Sequence, residues 1–287
     1  LVPTLSPADT HFLAARAGRP VVVKLGGSAM EHRPTTLATL GAVAALAGAG
    51  LKLALVHGGG KPIDRAMAAA GLTPVKIQGR RFTDDATLAI VAAVLAELNA
   101  GLERDLRDLG CDVVGFRDFS GYPAFPLAGE RLLLPGLDLN PVDLGRVGFV
   151  TTVDRDAILS SAGGGVPVLP SLCVSSAEGG MLNVNADTVA AAVAKALGAE
   201  TVVFLTDTPG VLRDVADPGS LLTELTRGEC EQLMRDGVIA GGMVPKVEAC
   251  FDALDAGATR AVILDGRDPL SLVNDCLGRP AGTAIRA

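Results

Sequence analysis

Short runs of valine, isoleucine and leucine alternate along this chain with longer segments in which alanine and leucine recur at helical spacing. The pattern predicts strands at 21–24, 53–57, 112–116, 166–169, 201–205 and 261–264. It predicts helices at 36–47, 63–70, 84–109, 187–197, 244–255 and 269–276, with Thr83 or Asp84 able to cap the longest. The first 20 residues form an extension broken by Pro3, Pro7 and Gly18, with a short helix expected over 8–17 behind a Ser6 cap. Residues 120–143 are rich in proline, glycine and leucine without helical period, and read as hairpins at the edge of a lobe. Strands that alternate with helices imply parallel crossovers. The expected fold is therefore α/β: an open three-layer α/β/α sandwich with a mainly parallel central sheet. Ligands of such sheets lie beyond the carboxyl ends of the strands, where Lys24, His57 and Asp207 fall.

Composition narrows the setting. The densest apolar stretch, 40–56, is broken by Gly41, Gly48, Gly50 and Lys52, so it reads as a core helix followed by a strand rather than a membrane span. No basic segment followed by an apolar one opens the sequence, and no secretory signal or membrane attachment is expected. The five cysteines are scattered and contain no CxxC pair, which argues against a disulfide framework or a zinc site and fits a reducing cytoplasm. A net charge of −7, no basic run and a single tyrosine disfavour nucleic-acid binding.

Chemistry gathers at glycine-flanked lysines. Lys24 ends the apolar run of VVVKLGGS, followed by Gly26 and Gly27, and Lys246 follows Gly241 and Gly242 in GGMVPK. Glycines let backbone N–H groups approach a phosphate closely, and two converging lysines can neutralise charge moving in phosphoryl transfer. Each motif also has a plainer reading. KLGGS and GGMVPK can be turns, with Lys246 solvated. The glycines of HGGG, Gly58, Gly59 and Gly60, either cradle an anion or merely clear a neighbouring element. In NVNADT, Asn183, Asn185 and Asp187 stand at alternate positions before a helix, where Asn185 or Asp187 can be an N-cap or can bind a polar substrate. His57 can be a satisfied histidine at a strand end. Arg81 in GRRFTD is a candidate carboxylate clamp, because guanidinium pairs bidentately with carboxylates, while Arg80 beside it reads as solvated.

The order and spacing of these motifs are more specific than any one of them. VVVKLGGS, VHGGG, GRRFTDDATL, DLGRVGFV, LNVNADTVAAAVAKALGAE, LTDTPGVL, GGMVPKVEA and ILDGR together resemble the amino acid kinase family, from about residue 21 to 283. Within it, the match is nearest to the kinases that phosphorylate the side-chain carboxylate of N-acetyl-L-glutamate to an acyl phosphate in arginine biosynthesis. The resemblance implies two lobes, an amino-acid lobe over 21–196 and a nucleotide lobe over 197–287. It implies ATP as co-substrate, with Mg2+ carried by the phosphates and no metal held by the protein alone. Lys24 and Lys246 would stabilise the transferring phosphoryl group, with Asp187 holding both ammonium groups. Gly26 and Gly27 would offer amides to the phosphates, and Gly241 and Gly242 would border the nucleotide with Thr206, Asp207, Gly210 and Leu212. Gly58, Gly59 and Gly60 would embrace the acyl chain and reacting carboxylate, while Arg81, Asn183 and Asn185 would bind the rest of the amino acid.

The sequence departs from the family pattern in three places. Lys61 displaces the usual proline after HGGG, and GFRDFSGYPAF replaces the usual substrate-side segment. Arginine-inhibited members have a C-terminal pocket reading DGRxxH, then an acidic residue, then GIGT. Here Leu270 stands for the histidine, Asp275 for the longer glutamate, and Gly282 alone precedes Thr283. A cytoplasmic homodimer weakly affected by arginine is the expectation. The alternatives are a same-fold kinase for N-acetylaminoadipate and a non-catalytic nucleotide or amino-acid sensor.

Overall fold

The computed structural model describes residues 2–16, 18–26, 28–121, 124–135 and 141–287. The chain enters through α1 (Pro7–Ala14), where the Ser6 hydroxyl accepts from the Asp9 N–H and the Asp9 carboxylate accepts from Ser6. Next come β1 (Val21–Leu25), α2 (Arg33–Gly48), β2 (Leu53–His57), α3 (Gly60–Ala69), β3 (Lys76–Ile77), β4 (Arg80–Arg81), α4 (Asp85–Asp108) and β5 (Val113–Gly115). They are followed by β6 (Leu127–Leu134), β7 (Val142–Val153), α5 (Arg155–Ala162), β8 (Val166–Pro170), β9 (Leu172–Ser175), β10 (Met181–Val184) and α6 (Ala186–Leu197). The last elements are β11 (Thr201–Thr206), β12 (Glu224–Thr226), α7 (Arg227–Arg235), α8 (Val244–Asp255), β13 (Arg260–Asp265), α9 (Pro269–Cys276) and β14 (Gly282–Arg286).

Among the described residues, eight strands form one sheet in the order β12-β14-β13-β11-β1-β2-β8-β5. The six strands from β13 to β5 are parallel, and β14 runs antiparallel to β13. Alternation along a strand sends neighbours to opposite faces. In β1, Val21, Val23 and Leu25 enter a core with α2 and α9, while Val22 enters the core containing α6 and α8. The three-layer sandwich expected from the alternating pattern is the architecture observed.

Several elements go beyond that pattern. The segment read as hairpins contains β6, which pairs antiparallel with β7, and both join β9 and β10 in a closed four-stranded barrel. Closure is tight. A Cβ at Gly129 would lie 2.1 Å from the Phe149 carbonyl oxygen. α7 escapes the apolar period because only Cys230 and Leu233 of its RGECEQLMR are buried. α4 is long and apolar enough to cross a membrane by length and composition. Its buried side nevertheless carries Glu103, paired with Arg107 and Arg117, and Asp105, paired with Arg33 of α2. Those pairs suit a core helix.

Candidate active site

Lys24 shares a β1 face with Val22, and that parity turns it toward α6. Its Nζ lies 2.7 Å from Asp187 Oδ1. Asp187 occupies the first turn of α6, where unpaired N–H groups favour a carboxylate. Asn185 is the cap of that helix, its Oδ1 accepting from the Asp187 N–H at 2.7 Å.

Lys246 stands in the first turn of α8, behind a one-turn 3-10 helix at Gly241–Met243 in which Gly241 has φ +55°. A cation at a helix N-terminus works against the helix's own potential, so the position needs compensation. Asp207, just past the end of β11, supplies it at 2.8 Å. The hydrogen bond from Lys246 holds the Asp207 carboxyl below the usual carboxylate range, against the opposing effect of partial burial. Asp187 was expected to hold both ammonium groups. It pairs with Lys24, whereas Lys246 pairs with Asp207, because α8 starts beside the end of β11.

The glycine loops meet these lysines. Gly26 donates to the Leu205 carbonyl at 3.3 Å, while Gly27 lies outside the described residues. Gly58 packs against the start of α6, where an added Cβ would sit 3.3 Å from Ala186 Cβ. At Gly59 it would sit 3.0 Å from both Ile63 and Leu95, while Gly60 opens onto free space. Clearance therefore accounts for Gly58 and Gly59 but not for Gly60. α3 begins at Gly60, three residues before the expected start, so its N-terminal amides belong to the loop itself. Lys61 pairs with Glu31 at 2.8 Å.

Arg81, Asn183 and Asn185 line one cavity of about 130 Å³ with Gly79, Arg80 and Val147. The Arg81 guanidinium donates to Asp64 Oδ1 at 2.5 Å and to the Met67 sulfur at 3.0 Å, and Asn183 Nδ2 donates to Thr83 Oγ1 at 3.1 Å. Arg80, expected to be solvated, lines the same cavity. It lies in a two-residue strand of a short hairpin, too brief for alternation to separate a cavity side from a solvent side. Near it Asp252 of α8 has its carboxyl pushed up, chiefly by burial and then by Asp255 and Glu248, with Arg80 acting in the opposite sense.

On the nucleotide side, Thr206 ends β11 and its hydroxyl meets Thr208. Gly210 has φ +142°, and a Cβ there would lie 2.4 Å from Thr283 Oγ1, so the fold itself requires this glycine. Leu212 forms an isolated antiparallel bridge with Leu221. Gly242 follows Gly241 in the turn before α8. A larger cavity of about 650 Å³ lies at the opposite end of the sheet, beside Pro20, Leu53 and Val166, and contains none of these residues.

This arrangement can bring an anion to two cations, each fixed by its own carboxylate, near a glycine loop that is open to solvent at Gly60. Comparison with known proteins agrees with such chemistry. The model of the amino acid kinase family matches residues 19–265. The acetylglutamate kinase of Brachyspira hyodysenteriae is 36% identical over 258 residues, covering 89% of this chain and 86% of that protein. The acetylglutamate kinase of Synechococcus sp. strain RCC307 is 39% identical over 274 residues, covering 95% and 88%. Among solved structures, N-acetylglutamate synthase from Neisseria gonorrhoeae, complexed with coenzyme A and N-acetyl-glutamate, superimposes with a TM-score of 0.79 at 25% identity. That match covers 99% of this chain and 64% of the synthase.

Proposed function

The chain belongs to the amino acid kinase family, and from that premise we propose that it transfers the γ-phosphoryl group of ATP to the side-chain carboxylate of N-acetyl-L-glutamate, in arginine biosynthesis. The observation that carries this reading is the pair of cations at one end of the sheet, Lys24 on Asp187 and Lys246 on Asp207. A substrate carboxylate oxygen attacks the γ-phosphorus. One P–O bond forms as the bond to the ADP oxygen breaks, and the products are an acyl phosphate and ADP. Both reactants are anions, so catalysis consists of alignment and charge neutralisation. The carboxylate is already a nucleophile, and no general base is needed. Lys24 and Lys246 stabilise the charge spreading over the transferred group.

The loop at Gly58, Gly59 and Gly60 receives the reacting carboxylate. Arg81, Asn183 and Asn185 bind the acetylamino acid and its α-carboxylate. Gly26, Gly27, Thr206, Asp207, Gly210, Leu212, Gly241 and Gly242 border the nucleotide. Mg2+ enters on the ATP phosphates and supplies further charge neutralisation; Asp187 and Asp207 are both occupied by lysines, which suits an ion held by phosphate and water. Residues 21–196 serve the amino acid, 197–287 serve ATP, and 1–20 form an extension. The protein works in the cytoplasm as a homodimer.

Hydroxamate trapping of the acyl phosphate tests the reading, with ATP and N-acetylglutamate, N-acetylaminoadipate, glutamate or aspartate. Strong preference for N-acetylglutamate is expected. Preference for the longer homologue would reassign the substrate, and no product with any acid would leave a sensor.

A further inference from the structure

Beneath the glycine loop lies a polar chain for which the reaction just described has no use. His57, the last residue of β2, is fully buried, and so is Asn99, midway along α4. Asn99 Nδ2 lies 3.1 Å from His57 Nε2 and donates to the Val168 carbonyl at 2.9 Å, which occupies both of its hydrogens. Since Asn99 donates to Nε2, that nitrogen is the acceptor and the ring proton sits on Nδ1. Nδ1 lies 3.2 Å from the Gly58 carbonyl oxygen, where an N–H donates well.

Keeping this chain has a measurable cost. Asn99 Oδ1 is buried without a hydrogen-bond partner among the described residues. It faces Gly115, where an added Cβ would come within 2.3 Å of it. An orphaned buried acceptor is destabilising, and an apolar pair in the same space would avoid it. The arrangement therefore calls for a reason outside stability, and the geometry offers one. A trans peptide is planar, with its C=O and N–H pointing opposite ways. Drawing the Gly58 carbonyl toward the buried imidazole turns the Gly59 N–H away from it. Among the described residues nothing accepts from the Gly59 or Gly60 N–H. Three successive glycines have little intrinsic preference for one peptide orientation, so an external constraint has much to decide.

We propose that His57 and Asn99 are positioning residues, which act through the Gly58 carbonyl to hold the loop amides in the orientation that receives the substrate carboxylate. Neither side chain touches substrate. The assignment rests on the functional reading above for the identity of the ligand, but not for the geometry of the relay. Burial holds His57 neutral down to about pH 4, so the donor on Nδ1 and the acceptor on Nε2 persist across physiological pH.

Two measurements on the full chain test this. The sequence has three histidines, and His11 and His32 are exposed, so nitrogen-15 histidine spectra resolve His57. Its Nδ1-protonated neutral form should persist from about pH 8 to pH 5.5. An Nε2-protonated ring, or protonation of His57 within that range, overturns the relay. The second measurement compares His57→Asn with His57→Gln. The asparagine amide nitrogen overlays Nδ1 and keeps the donor to Gly58, whereas the glutamine amide reaches the Nε2 position and does not. His57→Asn should retain the wild-type KM for N-acetylglutamate within a few-fold. His57→Gln should raise it by roughly tenfold, the effect of about one hydrogen bond, with the KM for ATP little changed. Equal KM values in the two variants, or equal changes for both substrates, overturn the proposal. If the wild type phosphorylates none of the acids, the functional reading fails and the spectra alone decide the relay.

Discussion

Lys246 and Asp207 meet at 2.8 Å between the first turn of α8 and the end of β11. The contact fixes a cation where the helix would otherwise repel one, and it separates this lysine from the Lys24–Asp187 pair. The two lysines are thus set independently, each by a carboxylate from a different element.

Removal of either cation is expected to act on the chemical step. Lys24→Ala and Lys246→Ala should each raise the barrier by roughly 3–4 kcal/mol, a fall in kcat of about two to three orders of magnitude, with smaller changes in KM. Steady-state kinetics check this. A Lys246→Ala enzyme turning over near the wild-type rate would eliminate the two-lysine mechanism.

Arg81→Lys keeps the charge but loses the fork that spans Asp64 and the Met67 sulfur. The KM for the acylated amino acid should rise by about tenfold or more and the KM for ATP far less. Comparable changes for both substrates would make Arg81 a structural residue that anchors β4 to α3.

Acid should destabilise the protein through His57. In the unfolded chain its imidazole takes up a proton near pH 6.5, whereas burial in the folded chain delays this to about pH 4. Between these values the unfolded state binds more protons, so stability falls as pH falls through the window and is level above it. This one group accounts for about 3 kcal/mol of loss at the acid end. Thermal melts from about pH 7 to pH 4 should show the slope in the wild type and lack that part of it in His57→Asn. Parallel slopes would mean that the imidazole is hydrated.

Arginine should inhibit weakly, and the particle should be a dimer. Asp275, where the arginine-inhibited pattern has its glutamate, is buried and already paired with Arg260 at 2.5 Å. Leu270, at the histidine position, is exposed. α1 folds onto its own chain, with Leu13 buried in the core that also holds Leu272 and Cys276 and with Asp9 paired to Arg279. Mass photometry, with activity measured across millimolar arginine, checks both statements. A stable hexamer with sigmoidal inhibition would refute them.

Legibility in the sequence followed the physics of each element. α8 and α9 run as their apolar periods predict, and the β1, β2 and β11 runs sit at the centre of the sheet. The hairpins of the barrel follow local turns, but its closure was hidden because it depends on β6 meeting β9 and β7 meeting β10, which are distant in sequence. α7 was hidden behind a polar surface, although Thr226 and Glu229 form a capping box that local inspection can find. Glycine-flanked lysines marked the candidate site because paired glycines beside a cation at a strand end leave amides open to an anion. The partner of Lys246 was not legible. Whether a lysine reaches Asp187 or Asp207 depends on where α8 starts relative to β11, and spacing along the chain does not encode that.

β1 and β11 are hydrogen-bonded neighbours, matched in register from Val21 with Thr201 to Leu25 with Leu205. The strand bearing Lys24 and the strand leading to Asp207 are therefore laced together along their whole shared length. No hinge separates Lys24 from Asp207, the carboxylate that holds Lys246. A ligand that draws Lys24 and Lys246 closer must do so by flexing a stiff, continuous plate or by sliding α8 over it, so the travel is short and the restoring force comes from the whole sheet.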